Sequence, residues 1–104
     1  MNAFEEALER SGLTAPLFIT QNDGTVTKSE FARKTPVFAF ASGPTNSMRG
    51  AAFLSGIENA MVVDIGGTTS DVGCIRNGYP REANNVIEIG GVRTLFRMPD
   101  VVSI

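Results

Sequence analysis

Apolar positions in this chain come in short blocks separated by turn-forming residues, a pattern of short strands and short helices rather than one long amphipathic helix. Phe4, Ala7 and Leu8 fall at helical spacing ahead of Ser11-Gly12, which predicts a helix over Ala3 to Arg10. Leu17-Phe18-Ile19-Thr20 reads as a strand, Asn22-Asp23-Gly24-Thr25 as a tight turn and Thr25-Val26-Thr27 as the returning strand. Ser29 and Glu30 open a further helical turn, closed by Pro36.

Val37-Phe38-Ala39-Phe40-Ala41 reads as a buried strand, broken by Ser42-Gly43-Pro44-Thr45, with Thr45 near the cap of the next helix. That helix carries Met48, Ala51, Ala52, Leu54 and Ser55 and ends at Gly56; its small side chains permit close packing on a sheet. Ala60-Met61-Val62-Val63 and Val72-Gly73-Cys74-Ile75 are strands on either side of a glycine turn. Asn77-Gly78 is a two-residue hairpin turn, and Pro80 just after it marks an edge position. Val86-Ile87-Glu88-Ile89 and Val101-Val102-Ser103-Ile104 complete the strands. The expected fold is a mixed sheet with flanking helices, α/β or α+β, the pattern alone not choosing between them. An apolar, strand-like last segment reads as the interior of a longer domain, so residues 1–104 are expected to be one domain or a fragment of a larger one.

Composition narrows the chemistry. With 104 residues and 42% hydrophobic content, one core is the expectation. A formal net charge of -2 with scattered acids and bases offers no basic stripe for nucleic acid. One cysteine and no histidine exclude an internal disulfide, a Cys/His zinc site and a Ser-His-Asp or Cys-His mechanism built from these residues alone. No apolar run approaches the roughly 20 residues that span a bilayer, and Glu5, Glu6 and Glu9 stand where a signal peptide is basic. A cytoplasmic protein with no membrane partner is expected.

The segment from Met61 to Ile75 concentrates the candidate chemistry: a strand, Asp64, Gly66-Gly67, Thr68-Thr69, Asp71 and a second strand. Glycines tolerate positive φ and lack a Cβ, so the turn is free to be tight and its N–H groups to approach an anion closely. Thr68 and Thr69 add hydroxyl donors. Asp64 repels phosphate directly and makes sense beside one only if Mg²⁺ or its bound water lies between them. Asp71 suits the same metal shell, or the positioning of a water. Spacing by itself leaves a phosphate-binding turn and a plain hairpin with a capping Asp as equal alternatives, because neither GxxxxGK[ST] nor GxGxxG is present.

Elsewhere the plainer readings hold. Cys74, with no cationic neighbour in sequence, reads as a small core residue, and Gly90-Gly91 as a strand-connecting turn. Asn22-Asp23-Gly24 is explained by turn chemistry, Ser42-Gly43-Pro44 by a helix start, and Arg93 and Arg97 as solvated side chains.

Asp64-Ile65-Gly66-Gly67-Thr68-Thr69-Ser70-Asp71-Val72-Gly73 resembles the phosphate hairpin of the actin, sugar-kinase and chaperone ATPase superfamily, in the version found in the ATPase-bearing subunit of hydantoinases and 5-oxoprolinases. Pro16 to Gly24, Ser42-Gly43-Pro44 with Gly50-Ala51-Ala52, and Gly90-Gly91-Val92-Arg93-Thr94 agree with that family in the same order. The resemblance implies part of an actin-like (ribonuclease H-like) ATPase lobe, preceded in sequence by the helix that packs on its hairpin. It further implies ATP and Mg²⁺ as cofactors, with Asp64 at the metal, Asp71 as its catalytic companion, and Gly66, Gly67, Thr68 and Thr69 at the phosphates. The implied reaction opens a cyclic amide such as a hydantoin or 5-oxoproline, with the remaining lobe or a partner subunit completing the site. A sugar or small-acid kinase using the same hairpin, and a non-catalytic binding module, are the alternatives.

Overall fold

A computed structural model of the chain describes residues 2–83, 87–95 and 98–104. Helix α1 (Asn2–Arg10) ends where Gly12 takes φ +72°, as the Ser11-Gly12 stop predicts. Strands β1 (Phe18–Thr20) and β2 (Val26–Lys28) pair antiparallel. In the turn between them, Asp23 Oδ1 accepts from the Thr25 N–H at 2.9 Å, the side-chain-to-backbone bond that makes Asp a turn residue. Helix α2 (Ser29–Lys34) follows directly.

The run expected to be a buried strand folds otherwise. Pro36 pre-sets the φ of a 3-10 turn, Pro36–Ala39, closed by the Phe40 N–H on the Val37 carbonyl at 3.2 Å. Val37, Phe38 and Phe40 are exposed, and the Phe38 carbonyl accepts from the Asn22 N–H at 2.7 Å instead of entering a ladder. Helix α3 (Ser42–Ser55) begins three residues before Thr45, after Ala41 in the left-handed region, and ends at Gly56 with φ +70°. Pro44 therefore lies in the first turn, where backbone N–H groups have no intrahelical partner and its missing N–H costs nothing. Thr45 is not a cap: it is fully buried, and its hydroxyl donates to the Asn22 carbonyl at 3.1 Å, tying α3 to the β1–β2 turn.

The central sheet contains β3 (Ala60–Ile65), β4 (Ser70–Arg76), β5 (Tyr79–Pro80) and β8 (Val101–Ser103). Every pairing is antiparallel: β3 flanks β4 on one side, and β5 and β8 share the other. Asn77 (φ +51°) and Gly78 (φ +79°) make the two-residue turn into β5, and Pro80 occupies the expected edge. Strands β6 (Ile87–Ile89) and β7 (Val92–Thr94) form a separate hairpin through Gly90-Gly91, both at positive φ. Val86 and Arg97 lie outside the described residues. The α/β character expected from the sequence is thus present as antiparallel sheets with flanking helices.

Alternation along β3 and β4 divides the sheet into two faces. Toward α3 stand the rows Ala60/Ile75, Val62/Gly73/Val101 and Asp64/Asp71/Ser103. Met48, Ala52 and Ile75 form the buried core there, with Ala60, Val62 and Val101 packed around them. Gly73 makes room for Met48: a Cβ at Gly73 would come within 2.6 Å of the Met48 methyl. The opposite face carries Met61, Val63, Ile65 and Val102, all exposed, with Ile104 beside Ser70. Cys74 shares this face opposite Met61 and is half-buried, so it lies outside the core under α3.

Gly24 (φ +88°) is held where a Cβ would lie 2.9 Å from Pro80 Cδ and 3.1 Å from the Arg49 stem. Gly24→Ala is expected to destabilise the fold by at least about 1–2 kcal/mol from backbone conformation alone, with the clash adding to it. A urea titration of parent and variant checks this.

Candidate functional site

The site is built where β3 turns into β4. Residues 66–69 link Ile65 to Ser70 in a four-residue turn closed by the Gly66 N–H on the Thr69 carbonyl at 2.9 Å. Neither Gly66 nor Gly67 has a positive φ, contrary to the expectation for a tight glycine turn. The reason is length: a four-residue connection is commonly built around a type I turn, whose central residues are right-handed. Gly66 is instead favoured by close approach, since a Cβ there would lie 3.1 Å from the Thr69 carbonyl oxygen and crowd it. At Gly67 a Cβ would meet nothing within 4 Å, so open space adjoins the backbone at that point. With the Gly66 N–H engaged across the turn, the N–H groups of Gly67, Thr68 and Thr69 are those without a described hydrogen bond. All four residues are exposed.

Directly below the turn, Asp64 and Asp71 are cross-strand partners on the α3 face. Opposed residues of an antiparallel pair have Cβ atoms only about 4.5–5.5 Å apart, and like charges in that relation repel. Asp64 is met by the Ser47 hydroxyl from α3, which donates to its Oδ2. Asp71 is met by the Ser103 hydroxyl from β8, which donates to its Oδ1. Among the described residues the ion pairs lie elsewhere, at Arg33–Glu5, Lys34–Glu30 and Arg81–Asp100. Among the described residues the two acids are therefore faced by neutral hydroxyls, and no ion pair offsets their charge.

The structure thus brings together all the sequence-selected residues: Asp64 and Asp71 side by side, with Gly66, Gly67, Thr68 and Thr69 at the turn above them. It adds Ser47 and Ser103, which sequence reasoning missed. No local signal marks either serine, because their partners stand 17 and 32 residues away. Two open grooves, of about 500 Å³ beside α1 and about 480 Å³ between the β1–β2 turn and α3, lie away from the hairpin tip. In the second, Arg49 donates to the Gly78 carbonyl and stacks 4.1 Å above the Tyr79 ring, which accounts for its charge structurally. Arg93, on β7, is exposed as expected.

The arrangement is thus a two-stranded hairpin with paired carboxylates under one helix, in an α/β frame. The chain belongs to the hydantoinase/oxoprolinase family, whose family model matches residues 1–104. Among solved structures it is similar to the nucleotide-free structure of acetone carboxylase, described with the mechanism of ATP-dependent acetone carboxylation. The TM-score is 0.74 at 21% identity, over 96% of this chain and 14% of that one, so the chain spans a small part of that protein's length. No curated protein sequence matches the chain.

Proposed function

We propose that this chain supplies one wall of the nucleotide site of an ATP-dependent cyclic amidase, opening a hydantoin or 5-oxoproline ring. The observation that carries the reading is the Asp64–Asp71 pair set under a turn with open space at Gly67. Exposed backbone N–H groups at such a turn suit phosphate oxygens, and Thr68 and Thr69 place hydroxyls beside them. Two carboxylates that enter no ion pair among the described residues suit a hard metal ion that keeps several waters and takes only one or two carboxylate ligands. Among the described residues no group of three or more His, Cys, Asp or Glu is gathered as a metal site, so the remaining ligands of Mg²⁺ here would be phosphate oxygens and water. Mg²⁺ held by Asp64 would neutralise charge between carboxylate and phosphate, and Asp71 would orient water in the same shell.

The uncovered apolar face of the central sheet supports a further lobe or partner subunit packing against this chain, since exposed contiguous apolar surface of this kind marks interaction sites. Among the described residues no helix is long and apolar enough to cross a membrane. A cytoplasmic location is part of the proposal.

The acetone carboxylase likeness favours a second reading, an ATP-dependent carboxylation with the same hairpin at the phosphates. Phosphate release by the full-length protein, assayed with ATP and Mg²⁺ plus hydantoin, 5-oxoproline, acetone with bicarbonate, or a polyol, separates the readings. Stimulation by a cyclic amide, with the opened acid detected by mass spectrometry, is the expected result. A carboxylated ketone or a phosphorylated alcohol as product overturns it.

The 104 residues made alone are expected to release no phosphate from ATP above background, because one hairpin provides one wall of a site that needs positioned groups on several sides. Without an opposing wall the phosphates stay in water, where high dielectric weakens each contact. Turnover that Asp64→Asn abolishes would show that the chain completes a site by itself.

A further inference from the structure

We propose that Ser47 and Ser103 are positioning residues for the cation site, each holding one oxygen of an acid so that the other is presented to the metal or to a water of its shell. The inference rests on the metal reading of Asp64 and Asp71 above. The two hydroxyls come from different elements, α3 and β8, and converge on neighbouring carboxylates of a single row, Asp64/Asp71/Ser103. Each engages one oxygen only, Oδ2 of Asp64 and Oδ1 of Asp71. A carboxylate that accepts a bond at one oxygen loses free rotation about its last torsion, and two acids so held meet a cation without first having to be ordered. A hydroxyl also suits the task electrostatically. It donates without cancelling the charge, whereas Lys or Arg in either position would compete with the metal.

The placement of Ser47 separates this role from simple packing. The apolar rows under α3 are filled by Met48 and Ala52, which form the core with Ile75, while the Ser47 hydroxyl bonds to Asp64 of the acidic row. Ala is the better helix former, so a serine here works against local preference, and Ser47→Ala carries little risk to the helix. Ser103 is exposed, so its replacement is a second, independent variant that leaves the core untouched.

The test uses the full-length protein with a non-hydrolysable ATP analogue and Mn²⁺, binding being followed by electron paramagnetic resonance and stability by thermal melting. Ser47→Ala and Ser103→Ala are each expected to weaken Mn²⁺ binding by roughly tenfold or more, the usual effect of removing a group that orients a metal ligand. Ser47→Thr and Ser103→Thr, which keep the hydroxyl, are expected to bind Mn²⁺ like the parent. Parental affinity in both alanine variants overturns the proposal and makes the hydroxyls mere ties between elements. A loss that neither threonine variant restores also overturns it, assigning the effect to packing. Asp64→Asn is the control for the underlying reading: if it too binds Mn²⁺ like the parent, the metal site itself is wrong and this inference falls with it. A shift in Asp64→Asn without one in the serine variants removes the positioning role alone.

Discussion

Gly67→Val in the full-length protein is expected to lower ATP turnover by about 100-fold or more while leaving stability within about 0.5 kcal/mol of the parent. The two halves of that expectation come from different facts. Gly67 does not need positive φ, and a Cβ there meets nothing within 4 Å, so the folded chain has room for a valine side chain. The same open space is where a phosphate would approach the backbone N–H groups of the turn, and valine fills it. Gly66 is the wrong position for this test. A side chain there crowds the Thr69 carbonyl that closes the turn, and lost activity would then report a distorted hairpin. Steady-state ATPase kinetics paired with a chemical melt measure both quantities. Parental turnover in a well-folded Gly67→Val protein removes the phosphate from the hairpin.

Asp64→Asn is expected to reduce activity at least roughly 100-fold and to raise the Mg²⁺ concentration needed for half-maximal rate, since a ligand should matter at least as much as the groups that orient it. Its effect on stability should have the opposite sign. Asp64 faces Asp71 directly across β3 and β4, and removing one of two opposed like charges relieves about 0.2–1 kcal/mol of repulsion. The amide oxygen still accepts from Ser47, so the tie from α3 to the strand survives. A variant that is slower yet slightly more stable in the absence of metal is the signature of an acid kept for function. Unchanged Mg²⁺ dependence would make Asp64 a structural turn residue instead.

Most local structure is legible in the sequence. The Ser11-Gly12 stop, the Asn22-Asp23-Gly24 turn, the Asn77-Gly78 hairpin and the edge proline at Pro80 each depend on the dihedral preferences of one or two residues, and such preferences are carried by the residues themselves. The candidate site was legible for the same reason: Asp64 through Asp71 are contiguous, so a hairpin brings the two acids opposite each other whenever its two arms pair. Apolar content alone misled over Val37 to Ala41, where Pro36 pre-sets a 3-10 turn and, among the described residues, no strand pairs with this run.

What the sequence determined by itself is most of the short elements, their turn residues and the eight-residue motif with its acids, glycines and threonines. The tertiary structure decided which face of β3 and β4 lies under α3, that the turn is four residues long and needs no positive φ, and that Ser47 and Ser103 close on Asp64 and Asp71. Those outcomes depend on register and packing between segments 17 and 32 residues apart, and no local preference encodes a contact whose partners meet only after the sheet has formed.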